Sequence, residues 1–368
     1  MITYCTNIHP GESWEETFGN LARHLPAVKS AVSPDAPFPV GLRLSGRAAR
    51  ELTPEAAARF GRWLAEHDLF VPTINAFPFG SFHQTSVKEQ VYRPDWRHPQ
   101  RAAYTVRLAN LLAGWLPDGM RGSLSSVPIA FKKGFVDCDL AAVRANLVSV
   151  LEHLDRLHEE SGKEILLALE PEPCCVLETT SELVQFVERL QLPGRLRHRL
   201  GVCLDCCHLA VEFEEPAQVL AQLSGAGIPI AKIQASSAPS IAPPDPAVLA
   251  LFDEPCYLHQ VVIRGSDGRL SRYADLPEAL KTHRSAQGEE WRVHFHIPIF
   301  LDQKTPFGTT RSFIEELVPL VKGDPLFEVE TYSFAVLPAE LAGESVTQSL
   351  IREIAWLKGV HHAALRGT

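Results

Sequence analysis

No run of apolar residues in this sequence is long enough to span a bilayer. The opening stretch "MITYCTNIHPGESW" has no basic segment leading into an apolar one, so no signal peptide is expected. A positive excess is missing as well: 44 acidic residues stand against 35 basic ones, a formal charge of −9. Phosphate binding relies on a dense positive field, so no nucleic-acid partner is expected, although a local basic groove is not thereby excluded. Several signatures of established chemistries are absent too. There is no P-loop, no G-x-G-x-x-G after a strand, no H-E-x-x-H and no nucleophile-elbow serine, which sets aside nucleotide-dependent, zincin and hydrolase readings.

Eight cysteines without a signal sequence are expected as thiols in a reducing cytoplasm. Cys203, Cys206 and Cys207 form a C-x-x-C-C string, but a zinc ribbon needs a second pair at suitable spacing, and Cys174-Cys175 belongs to another strand end. Buried structural thiols are the expectation, with Cys174 or Cys207 able to line a pocket.

What is present suits a soluble α/β protein. The 368 residues are 45% hydrophobic and 21% charged, enough for a substantial core, and 28 prolines with 23 glycines imply many turns. A strand-then-helix rhythm recurs along the chain. The runs "MITYCTNIH", "PVGLRLS", "LFVPTINAF", "GSLSSVP", "EILLALEPEP", "LGVCLDCCH", "PIAKIQAS" and "LFEVETYS" read as strands, several of them continuously apolar as in a parallel sheet covered on both faces. Helical periodicity fills the gaps between them, with Thr53-Pro54 and Thr180-Ser181 as start signals. Eight alternations predict a (β/α)8 TIM barrel as one domain over residues 1–368, with an open doubly wound sheet as the competing arrangement.

Two insertions break the rhythm, after the third and seventh strands, at about residues 77–99 and 235–307. The second contains "GSDG" between apolar runs, a hairpin signal. Both are rich in aromatics and histidine, and in a barrel the loops that follow strands surround the active site. They are expected to act as lids or substrate walls.

Four strands end in an acid or amide: Glu170 in "LLALEPEP", Asp205 in "GVCLDCCHL", Gln234 in "IAKIQAS" and Glu330 in "FEVETYS". Any one alone is an ordinary cap or surface acid. Together at the mouth of an apolar barrel they would repel one another, and a divalent cation would resolve that repulsion. Oxygen-rich ligation with at most one nitrogen favours Mn²⁺, Mg²⁺, Co²⁺ or Zn²⁺. His294 and His296 share a face if "VHFHI" is extended, and His296 is a further candidate ligand, with His259 near enough in sequence to join a second site. The competing account is a structural ion-pair network and two packed histidines.

This arrangement resembles the xylose isomerase-like superfamily, which includes sugar epimerases, dehydratases and endonuclease IV. The resemblance implies metal binding by Glu after the fifth strand, Asp after the sixth, His or Gln after the seventh and Glu after the eighth, the positions of Glu170, Asp205, Gln234 and Glu330. "LDCCH" is similar to a turn of the endonuclease IV group, but the fourth strand lacks the histidine a three-metal nuclease needs. More widely, "TYCTNIHPGESW", "INAFPFGSFH", "VKEQVYRPDW", "LDCCH" and "WRVHFHIPIF" resemble the bacterial metabolite traffic protein EboE family. That likeness implies a barrel and a link to export of small metabolites, with no settled reaction.

The expected chemistry is proton transfer next to a carbonyl on a small polyol, keto-sugar or cyclitol-type molecule. Glu170 and Glu330 are candidates for both ligand and base, and His208 for a hydrogen bond to a substrate oxygen. Arg43, Asn75, His83 and His294 are candidate substrate contacts. A non-catalytic metabolite carrier with the same pocket is the alternative, and a homo-oligomer stays open.

Overall fold

Each of the eight apolar runs forms a strand. In the computed structural model, which describes residues 1–83, 85–302, 307–339, 341 and 343–367, the first seven are β1 (Ile2–Tyr4), β2 (Phe38–Arg43), β3 (Leu69–Asn75), β4 (Arg121–Ser126), β5 (Glu164–Leu169), β6 (Leu200–Asp205) and β7 (Ile230–Ala235). Five short strands follow: β8 (Pro239–Ile241), β9 (Val261–Arg264), β10 (Leu270–Tyr273), β11 (Glu290–Val293) and β12 (Gly308–Thr309). The eighth barrel strand is β13 (Phe327–Val329). Parallel pairing runs in the order β1-β13-β7-β6-β5-β4-β3-β2, and a parallel bridge between Cys5 and Gly41 joins the two ends into a barrel. β2 and β6 are buried along their whole length, as their unbroken apolar runs require.

Helices cover the outside. The first, Trp14–Val32, buries Leu21, Leu25 and Val28 and starts at a Ser13/Glu16 capping box. Thr53 caps Pro54–Glu66 through its side chain as expected. At Thr180–Arg189 the cap lies one residue earlier than expected: Thr179 accepts from the Glu182 N–H, while Thr180 is already helical. Among the described residues, no helix is long and apolar enough to cross a membrane.

The insertion after β7 is more ordered than a long loop. β8 to β12 form a second, antiparallel sheet in the order β10-β9-β11-β8-β12, with its own core around Phe252, Trp291, Val293 and Phe295. The "GSDG" stretch makes the β9–β10 hairpin turn, with Gly268 at φ +81°. The β11 strand ends at Val293, so "VHFHI" is not a strand throughout, but the alternation persists: Phe295 enters this small core while His294 faces the barrel pocket.

The last helix, Val346–Gly367, ties the insertion to the barrel mouth. Its Glu353 carboxylate is fully buried and accepts from the Ile299 N–H at 3.1 Å and the Thr331 hydroxyl at 2.7 Å. Burial pushes this acid up to about 7. Its folded-state value lies above the unfolded one, so its stabilising share is complete in acid and is lost as pH rises through 7. Glu353→Gln, which mimics the protonated acid, is expected to melt like the parent chain at pH 5 and higher at pH 8.5, by about 2–3 kcal/mol. Parallel melting of the two proteins across that range would rule this out.

Candidate metal and substrate site

The carboxyl ends of the strands bring three acids together. Glu170 follows β5, with Pro171 ending the strand, and its N–H donates to the Ser126 carbonyl at 3.1 Å. Asp205 ends β6 and caps the short helix Cys206–Val211, its Oδ1 accepting from the His208 N–H at 3.1 Å and the Ser236 hydroxyl at 2.6 Å. Glu330 follows β13, and its Oε1 accepts from the Asn7 amide at 2.7 Å and the Asn75 amide at 3.1 Å. Carboxylate oxygens of Glu170, Asp205 and Glu330 lie within 4.8 Å of one another, and all three residues are buried.

Their remaining oxygens show what the cluster lacks. Glu170 Oε2 and Asp205 Oδ2 are buried without a hydrogen-bond partner. Burial pushes Glu170 well above the usual carboxylate range, and the neighbouring Asp205 pushes it further. Burial acts likewise on Glu330, aided by Glu170 and Asp205. Burial also drives Asp205 upward, but His208, His296, the Ser236 hydroxyl and the His208 N–H outweigh it and hold Asp205 low. The charge therefore concentrates on Asp205, while Glu170 and Glu330 are pressed toward the neutral acid. A divalent cation among these oxygens would reverse that pressure and supply the missing partners. The donor set fits a hard or borderline ion.

Three imidazoles border this cluster. His208 Nδ1 faces the Pro171 carbonyl at 3.0 Å, His296 Nδ1 the Glu330 carbonyl at 2.9 Å, and His294 Nδ1 the Gln260 Oε1 at 2.7 Å. Carbonyl oxygens accept only, so each Nδ1 carries a proton, and in the neutral rings of His294 and His296 Nε2 presents a lone pair. The Nε2 atoms of His294 and His296 stand 3.3 Å apart, and such facing lone pairs call for a proton or a cation between them. Asp205–His208–His296 and Glu172–His208–His294 are further groups whose ligand atoms lie within 4.8 Å. Burial holds His296 down at about 4 and His294 well below its ordinary range, leaving both neutral and available as ligands.

The other expected residues divide. Asn75 lines the pocket and steadies Glu330. His294 lines it too. Gln234 is fully buried beside Asp205 in the sheet, but its Oε1 accepts from the Cys203 thiol at 3.0 Å and its amide nitrogen is left without a partner. As a ligand it would have to turn its amide over, which exchanges two groups of the same shape. Two expectations are corrected. Arg43 does not reach the pocket: its guanidinium is held by the Gly11 and Gly80 carbonyls at 2.8 and 2.9 Å and by Glu12 at 3.1 Å, which braces the loops after β1 and β3. His83 packs edge-on against Phe82 and lines a separate surface hollow with Glu254, Cys256 and Tyr257. His259 is likewise structural, bonded to Glu254 at 2.7 Å and stacked on Phe295. Neither Cys174 nor Cys207 lines the pocket.

Three pocket residues escaped the sequence reading: Asn7, Glu172 and Tyr332. Glu172 follows the strand-end Glu170 by two residues, the spacing that returns a side chain to the same side of an extended segment, whereas Tyr332 opens a 3-10 turn, Tyr332–Val336, after Glu330. For Glu172 that periodicity was a usable signal. Glu172 is buried, its Oε1 takes the Tyr92 hydroxyl at 2.6 Å, and its Oε2 has no partner.

Both insertions build the pocket walls. Phe77, Phe82 and Val87 come from the first, and Tyr257, Leu258 and His294 from the second. The two are clasped: the Val87 and Lys88 N–H groups donate to the Cys256 carbonyl at 2.7 and 3.2 Å, and the Lys88 ammonium pairs with Asp275 at 2.7 Å.

No protein-family model and no curated protein matches the chain. Solved structures do. A xylose isomerase-like TIM barrel protein from Mycobacterium smegmatis, solved with magnesium, superposes with a TM-score of 0.55 at 14% identity, covering 99% of this chain and 97% of that one. D-allulose 3-epimerase from Methylomonas sp., in complex with D-allulose, gives 0.51 at 12% identity over 97% and 96%. The IOLI protein with a bound zinc atom gives 0.50 at 14% identity over 99% and 98%. At these identities the likeness establishes architecture, and the chain has the xylose isomerase-like (β/α)8 barrel fold.

Proposed function

We propose that the chain is a divalent-metal-dependent enzyme of the isomerase, epimerase or dehydratase kind, acting on a small polyol, keto-sugar or cyclitol-type metabolite. The observation that carries this is the convergence of Glu170, Asp205 and Glu330 at the strand ends, with two buried oxygens lacking any partner. Glu170, Asp205 and Glu330 would hold the ion, with Gln234 or His296 completing its shell. The donor chemistry suits Mn²⁺, Mg²⁺, Co²⁺ or Zn²⁺, and the ion when bound would polarise a ketone or hydroxyl oxygen. The chain's own groups do the rest. Glu170 and Glu330, which line the pocket beside that oxygen's place, are suited to exchange a proton with the carbon next to it. His208, fixed by the Pro171 carbonyl, offers its Nε2 to a substrate hydroxyl. Asn7 and Asn75 keep Glu330 in place.

The epimerase and the metal-bound barrels among the structural neighbours support this reading by analogy of fold. The resemblance of "INAFPFGSFH" and "WRVHFHIPIF" to the EboE family adds a finer proposal, that the metabolite belongs to an export or processing route in the cytoplasm. A carrier without catalysis would use the same pocket, and turnover separates the two.

The direct test is metal content and metal response. Purified protein is expected to carry a divalent ion, and chelation followed by adding ion back to about 100 times its Kd should restore about 2.7 kcal/mol of stability. A protein that carries no ion and melts identically with and without each of the four would overturn the proposal.

A further inference from the structure

The pocket changes character from floor to rim. Its floor holds Glu170, Glu172, His208, His294 and Glu330. Above them, Phe82, Tyr257 and Tyr332 form a three-ring wall, with centroids 5.2, 5.4 and 5.0 Å apart at interplanar angles of 50°, 52° and 79°. These rings come from three separate loops and meet only at the pocket. Val87, Val91 and Leu258 extend the apolar lining. One ring face suits the C–H face of a sugar, but three rings packed on one another present a broader apolar surface than a single sugar face covers. A free polyol there would turn hydroxyls mostly toward ring faces and aliphatic groups, with only the Tyr257 and Tyr332 hydroxyls among the wall residues to replace lost water.

Charge narrows the class further. Among the described residues that line the pocket, Lys88 is the sole lysine or arginine, and its ammonium is already paired with Asp275 at 2.7 Å. Arg43 is held by Glu12 and two backbone carbonyls. Away from the ion, an anionic group on the substrate would meet Glu172 and the apolar wall without a free cationic side chain to receive it.

We propose that the substrate is an uncharged molecule carrying hydroxyl or keto oxygens at one end and a flat aromatic or hydrocarbon substituent at the other, the oxygens on the acidic floor and the substituent against Phe82, Tyr257 and Tyr332. This deepens the metal-enzyme reading and rests on it for the floor, but the rim stands on the aromatic wall alone.

The test is calorimetric titration of the manganese-loaded, full-length protein with D-glucose, phenyl β-D-glucopyranoside and D-glucose 6-phosphate. The phenyl glucoside is expected to bind at least about tenfold tighter than glucose, and the phosphate weakest of the three. The Phe82→Ala/Tyr332→Ala variant should lose the phenyl advantage and keep the affinity for glucose. Tyr332→Phe should retain the advantage, which guards against a variant that has merely lost its fold. Equal affinities for glucose and its phenyl glucoside, no detectable phenyl glucoside binding, preference for the phosphate, or an advantage that survives in the double variant would each overturn the proposal. Repeating the titrations on chelated protein keeps the two readings apart. A phenyl advantage that persists while the ion makes no difference sinks the metal reading alone, and a ratio of one in metal-loaded protein sinks the substrate class alone.

Discussion

Replacing Lys232 with methionine is expected to destabilise the barrel by about 3–5 kcal/mol, the usual result of leaving one partner of a buried ion pair behind. Lys232 on β7 and Glu328 on β13 form a salt bridge inside the barrel, both side chains fully shielded from solvent. The sheet makes room for it at Gly41 on β2, where a Cβ would lie 1.8 Å from Glu328 Oε1 and 2.6 Å from the Tyr4 carbonyl. Burial works against the ammonium, but Glu328 together with Cys203, Cys5 and Glu170 outweighs it and keeps Lys232 charged. The same ammonium also eases the burden on Glu170 and Glu330 above it. Chemical denaturation measures the loss. The double variant Lys232→Met/Glu328→Gln, which removes both charges, is expected to recover most of it. A single variant as stable as the parent would rule out this ion pair as a contributor to the fold.

Glu170→Gln should produce opposite effects on stability and on metal binding. Loss of a carboxylate ligand is expected to weaken divalent-ion affinity by about 100-fold or more, with turnover falling alongside. Without metal, the same change removes a buried acid whose Oε2 has no partner, and the apo protein should gain about 1–3 kcal/mol at neutral pH. The sign follows from burial, which raises Glu170 in the folded state. Such a group stabilises fully only in acid and loses that contribution as pH rises, so the variant's advantage should fade toward pH 4. Metal titration followed by melting at pH 7 and pH 4 measures both parts. An apo variant less stable than its parent at neutral pH, or one that binds metal unchanged, would remove Glu170 from the site.

Much of the barrel was legible because its signals are local. Strand runs such as "EILLALEPEP" and "LGVCLDCCH" carry continuous apolarity and stop at proline or a capping acid, and each became a strand where it was read. The floor acids were legible for the same reason, since in parallel strands of one barrel every carboxyl end lies on the same rim. The insertion after β7 was less readable, because its strands have four residues or fewer and pair antiparallel across long separations. Arg43 and His83 show the limit of a strand-end rule. It places a residue near the rim, but the fold gave Arg43 to Glu12 and His83 to a neighbouring hollow.

The amino-acid order thus determined the eight strands, the helices between them, and which acids would crowd the rim, because periodicity and capping act over a few residues. Only the tertiary structure decided how those acids are used. Burial and the lack of partners on Glu170 Oε2 and Asp205 Oδ2, the facing Nε2 atoms of His294 and His296, and the aromatic wall of Phe82, Tyr257 and Tyr332 all join residues far apart in the chain. Such contacts depend on how strands and loops close in space, and no local pattern encodes them.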